Sequence, residues 1–393
     1  MKTVIAVENG DTLKALQGFL QALLGSGVVD ALLVPMRTPN GTVTPALVTS
    51  PELISEADPL APVLPVNAAT LAGQLSVKEP RAKVGVVLRS CELRALVELT
   101  KMQQACLDSL MLIALDCAGT YNVPLYINKI NRDKGQGVKD EKQVVGDKGE
   151  EAGDGGELDG LWLQLYRQAA THPESPDPEL RSACKICEQP VYDGAQITIE
   201  LLGNDVTHEI RISLPDELGT RMAMSETLVS NERLSVIDKL VAARAALRDT
   251  EFAKIRERLE SEDSIDGVFA ACIRCHNCMT VCPICYCKTC VFKSAIFDHE
   301  PMQFINWARQ KGAYRMPADT MLFHLTRLNH MALSCVGCGM CTEACPAELP
   351  VGIVFRAIGQ RLQAAFEYVP GRSYVEPLPL VTFKADEWTE VGE

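Results

Sequence analysis

Two cysteine runs near the carboxyl end of the chain have the spacing of iron–sulfur ligands. Each run reads C-x2-C-x2-C-x3-C-P, which is typical of 4Fe–4S clusters. In this pattern the first three cysteines bind one cluster, and the fourth usually binds the neighbouring one. We therefore predict two clusters, each bound by three cysteines of one run and the fourth cysteine of the other. The first is bound by Cys272, Cys275, Cys278 and Cys345, and the second by Cys335, Cys338, Cys341 and Cys282. Such a pair would carry electrons.

Structural zinc is the rival interpretation, because zinc also binds Cys-x2-Cys pairs. A zinc ribbon does not explain the third cysteine of each run or the terminal Cys-Pro, and both features occur twice. Disulfides are disfavoured as well. The chain begins MKTVIAVENGD, with no apolar signal core before the first acidic residues, so we expect a cytoplasmic protein with free thiols.

Three further cysteines follow the first run and leave its ligand set open. Cys285, Cys287 and Cys290 are either unligated neighbours, or replacements for Cys282, or ligands of an additional cluster shared with a partner chain. We favour Cys282 as the ligand, because the Cys282-Pro283 pair repeats Cys345-Pro346.

The composition excludes two classes of partner. A formal net charge of -13 argues against nucleic acid, which requires a basic surface. No stretch approaches the roughly 18 to 20 uninterrupted apolar residues needed to span a bilayer. A length of 393 residues allows two or three domains.

The first half of the chain alternates strand and helix patterns, which predicts an α/β domain over residues 1–230. Apolar β-branched segments at 3–7, 28–35, 83–88 and 110–116 read as strands, and 11–24 and 92–99 have helical spacing. Residues 131–159 are acidic and glycine-rich, so we predict an exposed loop there.

The second half is predicted to be helical. Residues 231–262 form a connecting helix, and 263–365 form an α-helical ferredoxin domain, because helical periods occupy the long insert between the cysteine runs. Residues 366–393 lack helical spacing and form either an arm lying on a partner or a disordered tail.

Four cysteines in the first half point to a third cluster. Cys91 lies where a predicted strand passes into a helix, and Cys117 follows the next strand. The carboxyl ends of neighbouring parallel strands meet at the crevice where α/β proteins bind cofactors. Adding Cys184 and Cys187 gives the four thiolates that a 4Fe–4S cluster needs, although buried structural cysteines are the alternative.

With these residues, the chain resembles the beta subunits of coenzyme F420-dependent (deazaflavin) hydrogenases and formate dehydrogenases. The four cysteines occupy that family's positions, residues 194–199 are similar to its segment after the Cys-x2-Cys pair, and the formate dehydrogenase branch also carries two ferredoxin motifs. Arg89-Ser90 stands where the family usually has Thr-Pro. The resemblance implies an FAD beside the third cluster, and we expect its contacts at Arg89, Ser90, Gly119 and Thr120.

The predicted function is that of an oxidoreductase subunit passing electrons between FAD and 4Fe–4S clusters. The expected partner is the catalytic subunit of a formate dehydrogenase or hydrogenase, or a heterodisulfide-reductase-like subunit. The alternative is a flavin-free iron–sulfur module that bridges two redox partners.

Overall fold

The computed structural model describes residues 1–77, 82–133, 158–227, 232–261 and 264–381. Most of the predicted acidic loop, residues 134–157, lies outside these ranges. The ends of that prediction are wrong, because residues 131–133 and 158–159 belong to helices on either side. No helix within the described ranges has the length and apolar character needed to cross a membrane.

The first half contains a seven-stranded sheet in the order β1-β7-β6-β5-β4-β2-β3. Strands β2, β4, β5 and β6 are parallel, and the three outer strands pair antiparallel. The predicted α/β class is therefore confirmed as a mixed sheet. The strands are β1 (Lys2–Ala6), β2 (Ala31–Arg37), β3 (Val43–Val48), β4 (Val84–Arg89), β5 (Leu110–Leu115), β6 (Ile197–Glu200) and β7 (Glu209–Ser213).

Two of these strands, β4 and β5, determine the positions of Cys91 and Cys117. Every residue of both strands is buried, as expected for parallel strands covered on two faces. They pair in register from Val84 with Leu110 to Arg89 with Leu115. Cys91 therefore lies in the first turn of the helix that follows β4, and Cys117 follows β5 at the same edge of the sheet.

Fourteen α-helices are present in the described ranges. In the first half they are α1 (Thr12–Gly25), α2 (Ala69–Ser76), α3 (Ser90–Lys101), α4 (Val123–Asp133), α5 (Leu158–Thr171), α6 (Ser182–Lys185) and α7 (Asp216–Arg221). In the second half they are α8 (Glu232–Glu260), α9 (Ser264–Val268), α10 (Asn277–Thr280), α11 (Pro301–Lys311), α12 (Thr320–Met331), α13 (Met340–Glu343) and α14 (Val351–Ala365).

Helix α8 joins the two halves. Its 29 residues bury Ile237, Leu240 and Phe252, and it packs on α5 and α6 at one end and on α9 and α14 at the other. The long, charged helical pattern of residues 231–262 predicted this helix.

The start of the predicted C-terminal arm packs on its own chain. Tyr368 is buried, its hydroxyl donates to Glu98 on α3, and the backbone N–H of Gly371 donates to the same carboxylate at 2.8 Å. The expectation of an arm lying on a partner or of a disordered tail is therefore wrong for residues 366–371, which pack on α3. The reason is the buried Glu98 carboxylate, which needs these donors. Residues 382–393 lie outside the described ranges.

Candidate iron–sulfur centres

The four cysteines predicted for the first cluster line one cavity near the surface, here called the outer cavity. They are Cys272, Cys275, Cys278 and Cys345. Cys278 is buried, whereas Cys275 is exposed to solvent. Burial raises the pKa of the Cys278 thiol to about 11, although the adjacent Arg327 lowers it.

The four cysteines predicted for the second cluster line a separate cavity, here called the middle cavity. They are Cys282, Cys335, Cys338 and Cys341. Burial and the nearby Cys282 thiol raise the pKa of Cys338 to about 12. The Cys338 thiol holds its proton at neutral pH, so binding of iron must displace that proton.

The two ferredoxin loops share one backbone conformation. In the first loop Arg274 and His276 have positive φ values of 54° and 63°, and at the matching positions of the second loop Gly337 and Gly339 have 74° and 72°. Two non-glycine residues in the left-handed region are uncommon and point to a functional constraint. The backbone N–H of Arg274 also donates to the Cys272 sulfur at 3.3 Å. Both loops are thus built to present sulfur atoms inward.

Helix α12, which lies between the two motifs in sequence, supports the outer cavity. His324 is buried, stacks on Phe269 and places Nε2 3.2 Å from the Cys272 sulfur. Burial lowers the pKa of His324 to about 4, so the ring is neutral at pH 7. One turn on, the buried Arg327 donates to the Cys278 sulfur at 3.1 Å and also lines the middle cavity.

The four cysteines predicted for the third cluster line a cavity at the edge of the sheet, here called the sheet-edge cavity. They are Cys91, Cys117, Cys184 and Cys187. Cys91 comes from the first turn of α3, Cys117 follows β5, and α6 carries Cys184. The cavity volume is about 430 Å³.

Three buried arginines line the sheet-edge cavity. Arg89, Arg181 and Arg244 are each less than a tenth exposed. Burial raises the pKa of Cys117 to about 11, and Arg89 partly opposes this shift. Cations around a buried thiolate group reduce the cost of its negative charge. The donor set and its surroundings therefore fit an anionic four-thiolate cluster.

The sheet-edge and middle cavities adjoin each other. Gly337 and Cys338 line both. Arg181 joins the two sides, because it donates to the Cys338 carbonyl at 2.8 Å and to the Thr120 hydroxyl at 3.2 Å. A Cβ at Gly339 would lie 2.3 Å from the Ala183 Cβ on α6, so only glycine allows this close approach.

The residues predicted to contact FAD lie in the wall of the sheet-edge cavity. Their polar side chains are engaged within the protein. Arg89 donates to the Val63 carbonyl at 3.0 Å, Ser90 donates to the Val191 carbonyl at 3.1 Å, and Thr120 accepts from Arg181. Gly119 contributes only backbone.

An apolar slot of about 330 Å³ lies beside the sheet-edge cavity. Leu64 and Arg89 line both spaces. Val43, Pro45 and Val66 are among the apolar side chains that form the remaining wall. A mostly apolar wall with a few polar groups is usual for small-molecule sites.

All sixteen cysteines are free thiols. In the described part of the chain, no three His, Cys, Asp or Glu side chains converge on one point that would hold a single metal ion. Cys285, Cys287 and Cys290 line none of the three cavities, whereas Cys282 lines the middle one.

Sequence reasoning missed the residues that surround the cysteines. Arg181, Arg244, His324 and Arg327 contact them or their backbone from distant positions in the chain. The only available signal was the pair of His324 and Arg327 at a helical spacing between the motifs, and it does not identify a contact to sulfur.

Comparison with known proteins agrees with these features. The family model described as a 4Fe-4S dicluster domain matches residues 268–349. The F420-dependent formate dehydrogenase subunit beta of Methanocaldococcus jannaschii is 23% identical over 383 residues, which are 91% of this chain and 91% of the relative. The F420-dependent formate dehydrogenase 1 subunit beta of Methanococcus maripaludis is 26% identical over 388 residues, 93% of this chain and 92% of that relative.

Among solved structures, a chain of the F420-reducing NiFe hydrogenase complex from Methanosarcina barkeri matches 67% of this chain and 94% of its own length, with 14% identity and a TM-score of 0.45. The sequence matches confirm the predicted resemblance to the beta subunits and the predicted class, an oxidoreductase subunit with a 4Fe–4S domain.

Proposed function

We propose that this chain is the electron-transfer subunit of a formate dehydrogenase or hydrogenase complex and that it binds three 4Fe–4S clusters. The observation that carries the proposal is the placement of twelve cysteines as three groups of four, each group lining its own cavity. The two formate dehydrogenase relatives, similar over nine-tenths of the chain, support the assignment to such a complex.

In this proposal each cysteine group holds one cluster, and each bound cluster accepts and releases single electrons. The chain itself supplies three things. Its thiolates are the ligands, its buried arginines offset the negative charge, and its backbone N–H groups donate to sulfur. A cytoplasmic location, predicted from the sequence, belongs to the same proposal.

The three sites form a continuous row. Cys338 lies between the sheet-edge and middle cavities, and Arg327 lies between the middle and outer cavities. The row runs from the edge of the sheet to the exposed Cys275. A single-electron path with one buried end and one surface end follows from this order.

We further propose that the flavin ring of an FAD binds in the apolar slot beside the sheet-edge cavity, since a slot of about 330 Å³ is too small for the whole molecule. A flavin, when bound, converts a two-electron hydride into single electrons. Leu64 and Arg89 would then separate the flavin ring from the third cluster, with Ser90, Gly119 and Thr120 on the cluster side. The F420-dependent activity in the names of both relatives supports a hydride step.

A flavin-free module that bridges two redox partners is the second candidate. The observation in its favour is that the polar groups of Arg89, Ser90 and Thr120 already have partners within the protein. In addition, no glycine-rich dinucleotide fingerprint follows the first strand of the sequence.

A reductive titration of the anaerobically purified chain separates the two candidates. Three clusters alone accept about three electrons, and three clusters with one flavin accept about five. Fluorescence of flavin released on denaturation gives an independent count. About three electrons without flavin would contradict the FAD proposal. About two electrons without flavin, or about four with it, would contradict the three-cluster proposal.

The identity of the partner is tested by affinity purification of the tagged chain under anaerobic conditions. We expect a formate- or hydrogen-oxidising subunit to copurify and the clusters to become reduced when formate or hydrogen is added. Copurification of neither, with clusters that only an artificial reductant reduces, would contradict the assignment to these complexes.

A further inference from the structure

We propose that the insert between the two cysteine motifs docks an acidic protein that carries a one-electron redox centre. The docking surface consists of α11, the exposed side of α12 and the basic residues around them, and we call it the insert surface. The inference rests on the proposed electron-transfer function, because it identifies where electrons enter or leave the row of clusters.

Helix α11 lies at the surface of the described structure. None of its eleven residues is buried, although it carries Met302, Phe304, Ile305 and Trp307. Met302 and Ile305 are 53% and 43% exposed, and their i, i+3 spacing places them on one face. A helix of a folded domain normally buries an apolar stripe, so a helix whose apolar side chains stay exposed or only partly buried is the expected form of an interaction site.

The aromatic residues near α11 pack mainly on one another. Trp307 contacts the rings of His299, Phe304 and Tyr314 at centroid distances of 4.9, 5.4 and 5.2 Å. This ring cluster gives the helix a defined position, so the exposed Met302 and Ile305 are presented on an ordered surface. Rigid apolar side chains lose little conformational freedom when a partner covers them.

Helix α12 also presents exposed apolar side chains at a helical spacing. Its inner side holds Phe323, His324 and Arg327, which are buried around the outer cavity. Leu322 and Leu325, again three residues apart, are about half exposed on its other side. The helix therefore contacts the outer cavity on one side and presents apolar side chains to solvent on the other.

The insert surface adjoins the exposed end of the cluster row. Arg274, next to Cys275, forms an ion pair with Asp319 and lies over the Phe297 ring. The His276 ring lies 4.7 Å from Phe323. Ile273, beside Cys272, is 62% exposed. A protein that covers the insert surface would thus bring its own redox centre close to the outer cavity.

The charge of the insert identifies the kind of partner. Although the whole chain has a formal net charge of -13, residues 283–334 contain six basic and three acidic side chains. Five of the basic side chains are exposed: Lys288, Lys293, Arg309, Lys311 and Arg315. Only two acidic ones are exposed, Asp298 and Glu300. A local basic surface on an otherwise acidic chain steers an acidic partner to this place.

An amphipathic basic helix also suits an anionic membrane surface. The position beside Cys275 favours the protein partner, because a lipid surface would cover the exposed end of the cluster row without receiving an electron. The test therefore includes both kinds of partner.

The experiment measures electron transfer from the chain, first reduced by dithionite-reduced methyl viologen, to an acidic plant-type 2Fe–2S ferredoxin by stopped-flow absorbance. Two variants alter the insert surface independently: Ile305→Asp, and the double variant Lys288→Glu with Lys293→Glu. The matched controls are Leu53→Asp and Lys14→Glu, which change exposed residues of the sheet half. Basic cytochrome c serves as the acceptor of opposite charge.

We expect the second-order rate constant for ferredoxin to fall about tenfold in both insert variants and to fall with rising salt in the unaltered chain. We expect both controls to keep the original rate. Ferredoxin rates within twofold of the unaltered chain in both insert variants would overturn the proposal, and so would equal losses in the controls.

Binding to vesicles that contain anionic lipid is measured by flotation for the same variants. Loss of vesicle binding in the insert variants with unchanged ferredoxin rates would overturn the protein partner in favour of a membrane surface. If reduced methyl viologen does not reduce the chain, the electron-transfer function itself is contradicted. If the chain is reduced but the substitutions do not change its rate with ferredoxin, only the docking surface is contradicted.

Discussion

Arg327 is the residue that links two of the cysteine groups. Its guanidinium donates to the sulfur of Cys278 in the outer cavity and to the Cys278 carbonyl at 3.0 Å, and its side chain also lines the middle cavity. A buried cation that donates to a thiolate stabilises the more negative, reduced state of a cluster, so it raises the reduction potential.

Replacing Arg327 with glutamine is expected to lower the reduction potential of the outer cluster by on the order of 60 mV. This shift corresponds to about 1.5 kcal/mol for a hydrogen bond to a charged group, converted for one electron. A redox titration followed by electron paramagnetic resonance measures the shift. Arg309→Gln, on the exposed side of α11, is the control. Equal potentials in the Arg327 variant and the unaltered chain would show that the contact to Cys278 has no electronic role.

Replacing Cys338 with serine is expected to remove one cluster, or about four iron atoms per chain, because Cys338 lines the middle cavity with the three other proposed ligands. The iron content and the spectrum of the reduced chain measure the loss. Any bound flavin is expected to remain, because the proposed flavin slot does not include Cys338.

Cys287→Ser is the matched control for this substitution. Cys287 is exposed and lines none of the three cavities, so about twelve iron atoms are expected to remain. Loss of iron in the Cys287 variant as well would instead support the alternative in which the cysteines after Cys282 bind a cluster.

At the residue scale, sequence predicted the cysteines but not their surroundings. The grouping of Cys272 with Cys345, and of Cys335 with Cys282, followed from spacing, because a short loop can present its first three cysteines to one cluster and its fourth to the next. Arg181 and Arg244 reach the sheet-edge cavity from positions whose contacts depend on tertiary packing. No local pattern encodes such contacts.

At the scale of elements, the segment after α14 fixes α3, the helix that carries Cys91 in its first turn. Lys101 donates to the Tyr368 hydroxyl at 2.8 Å, and Arg94 donates to the Pro370 carbonyl at 2.8 Å. Arg94 also donates to the Val336 carbonyl, within the second ferredoxin loop. The segment thus holds together the walls of two cavities.

Gly371→Ala is expected to destabilise this contact. Gly371 has a φ of +73°, and a Cβ there would lie 2.4 Å from the backbone of Arg94. Gly312→Ala is the matched control, because Gly312 has a φ of +80° but a Cβ added to it would meet no other atom within 4 Å. The control carries only the left-handed strain of about 1–2 kcal/mol, and Gly371→Ala adds about 1–3 kcal/mol from the clash.

The apparent melting temperature of each variant measures the difference. We predict a clearly larger decrease for Gly371→Ala than for Gly312→Ala. Equal decreases in melting temperature would mean that the contact between the segment after α14 and α3 does not stabilise the fold.

Glu188→Gln tests the contact between α8, α14 and the segment that carries Cys187. Burial by itself would raise the pKa of Glu188, but Arg356, 2.7 Å away, and Arg248 lower it below the usual value of 4.5. An acid with a lowered pKa stabilises the fold above its unfolded-state pKa, and this stabilisation is lost as the pH falls through the folded-state pKa.

The variant is therefore expected to be less stable than the unaltered chain by about 1–3 kcal/mol at pH 7, the value of a hydrogen bond to a charged group. The difference in melting temperature should shrink below pH 4.5. Protonation of other carboxyl groups at low pH destabilises both proteins equally and cancels in the comparison. A difference that stays constant down to about pH 3.5 would contradict a charged Glu188 in the fold.

The elements themselves were largely predictable from local patterns. The buried apolar run of β5 and the leucine spacing of α1 gave the correct type at nearly the correct bounds. Edge strand β3 was missed because Pro45 interrupts its pattern. The path of residues 366–381 was missed because it depends on the buried Glu98, far away in sequence.

At the scale of the whole molecule, the sheet and the helical half meet through the cysteine cavities. The second ferredoxin loop contacts α6 through Gly339 and Ala183, and the middle cavity shares Cys338 with the sheet-edge cavity. The twelve cysteines therefore lie along one path from the sheet edge to Cys275 and the insert surface. Sequence spacing does not reveal this order, which arises from the packing of two halves.

The most direct test of the three-cluster proposal is the content of iron, acid-labile sulfide and zinc per chain in anaerobically purified protein. Three 4Fe–4S clusters predict about twelve iron and about twelve sulfide, with little zinc. About eight iron would contradict a cluster at Cys91, Cys117, Cys184 and Cys187, and zinc in place of iron would contradict all three clusters.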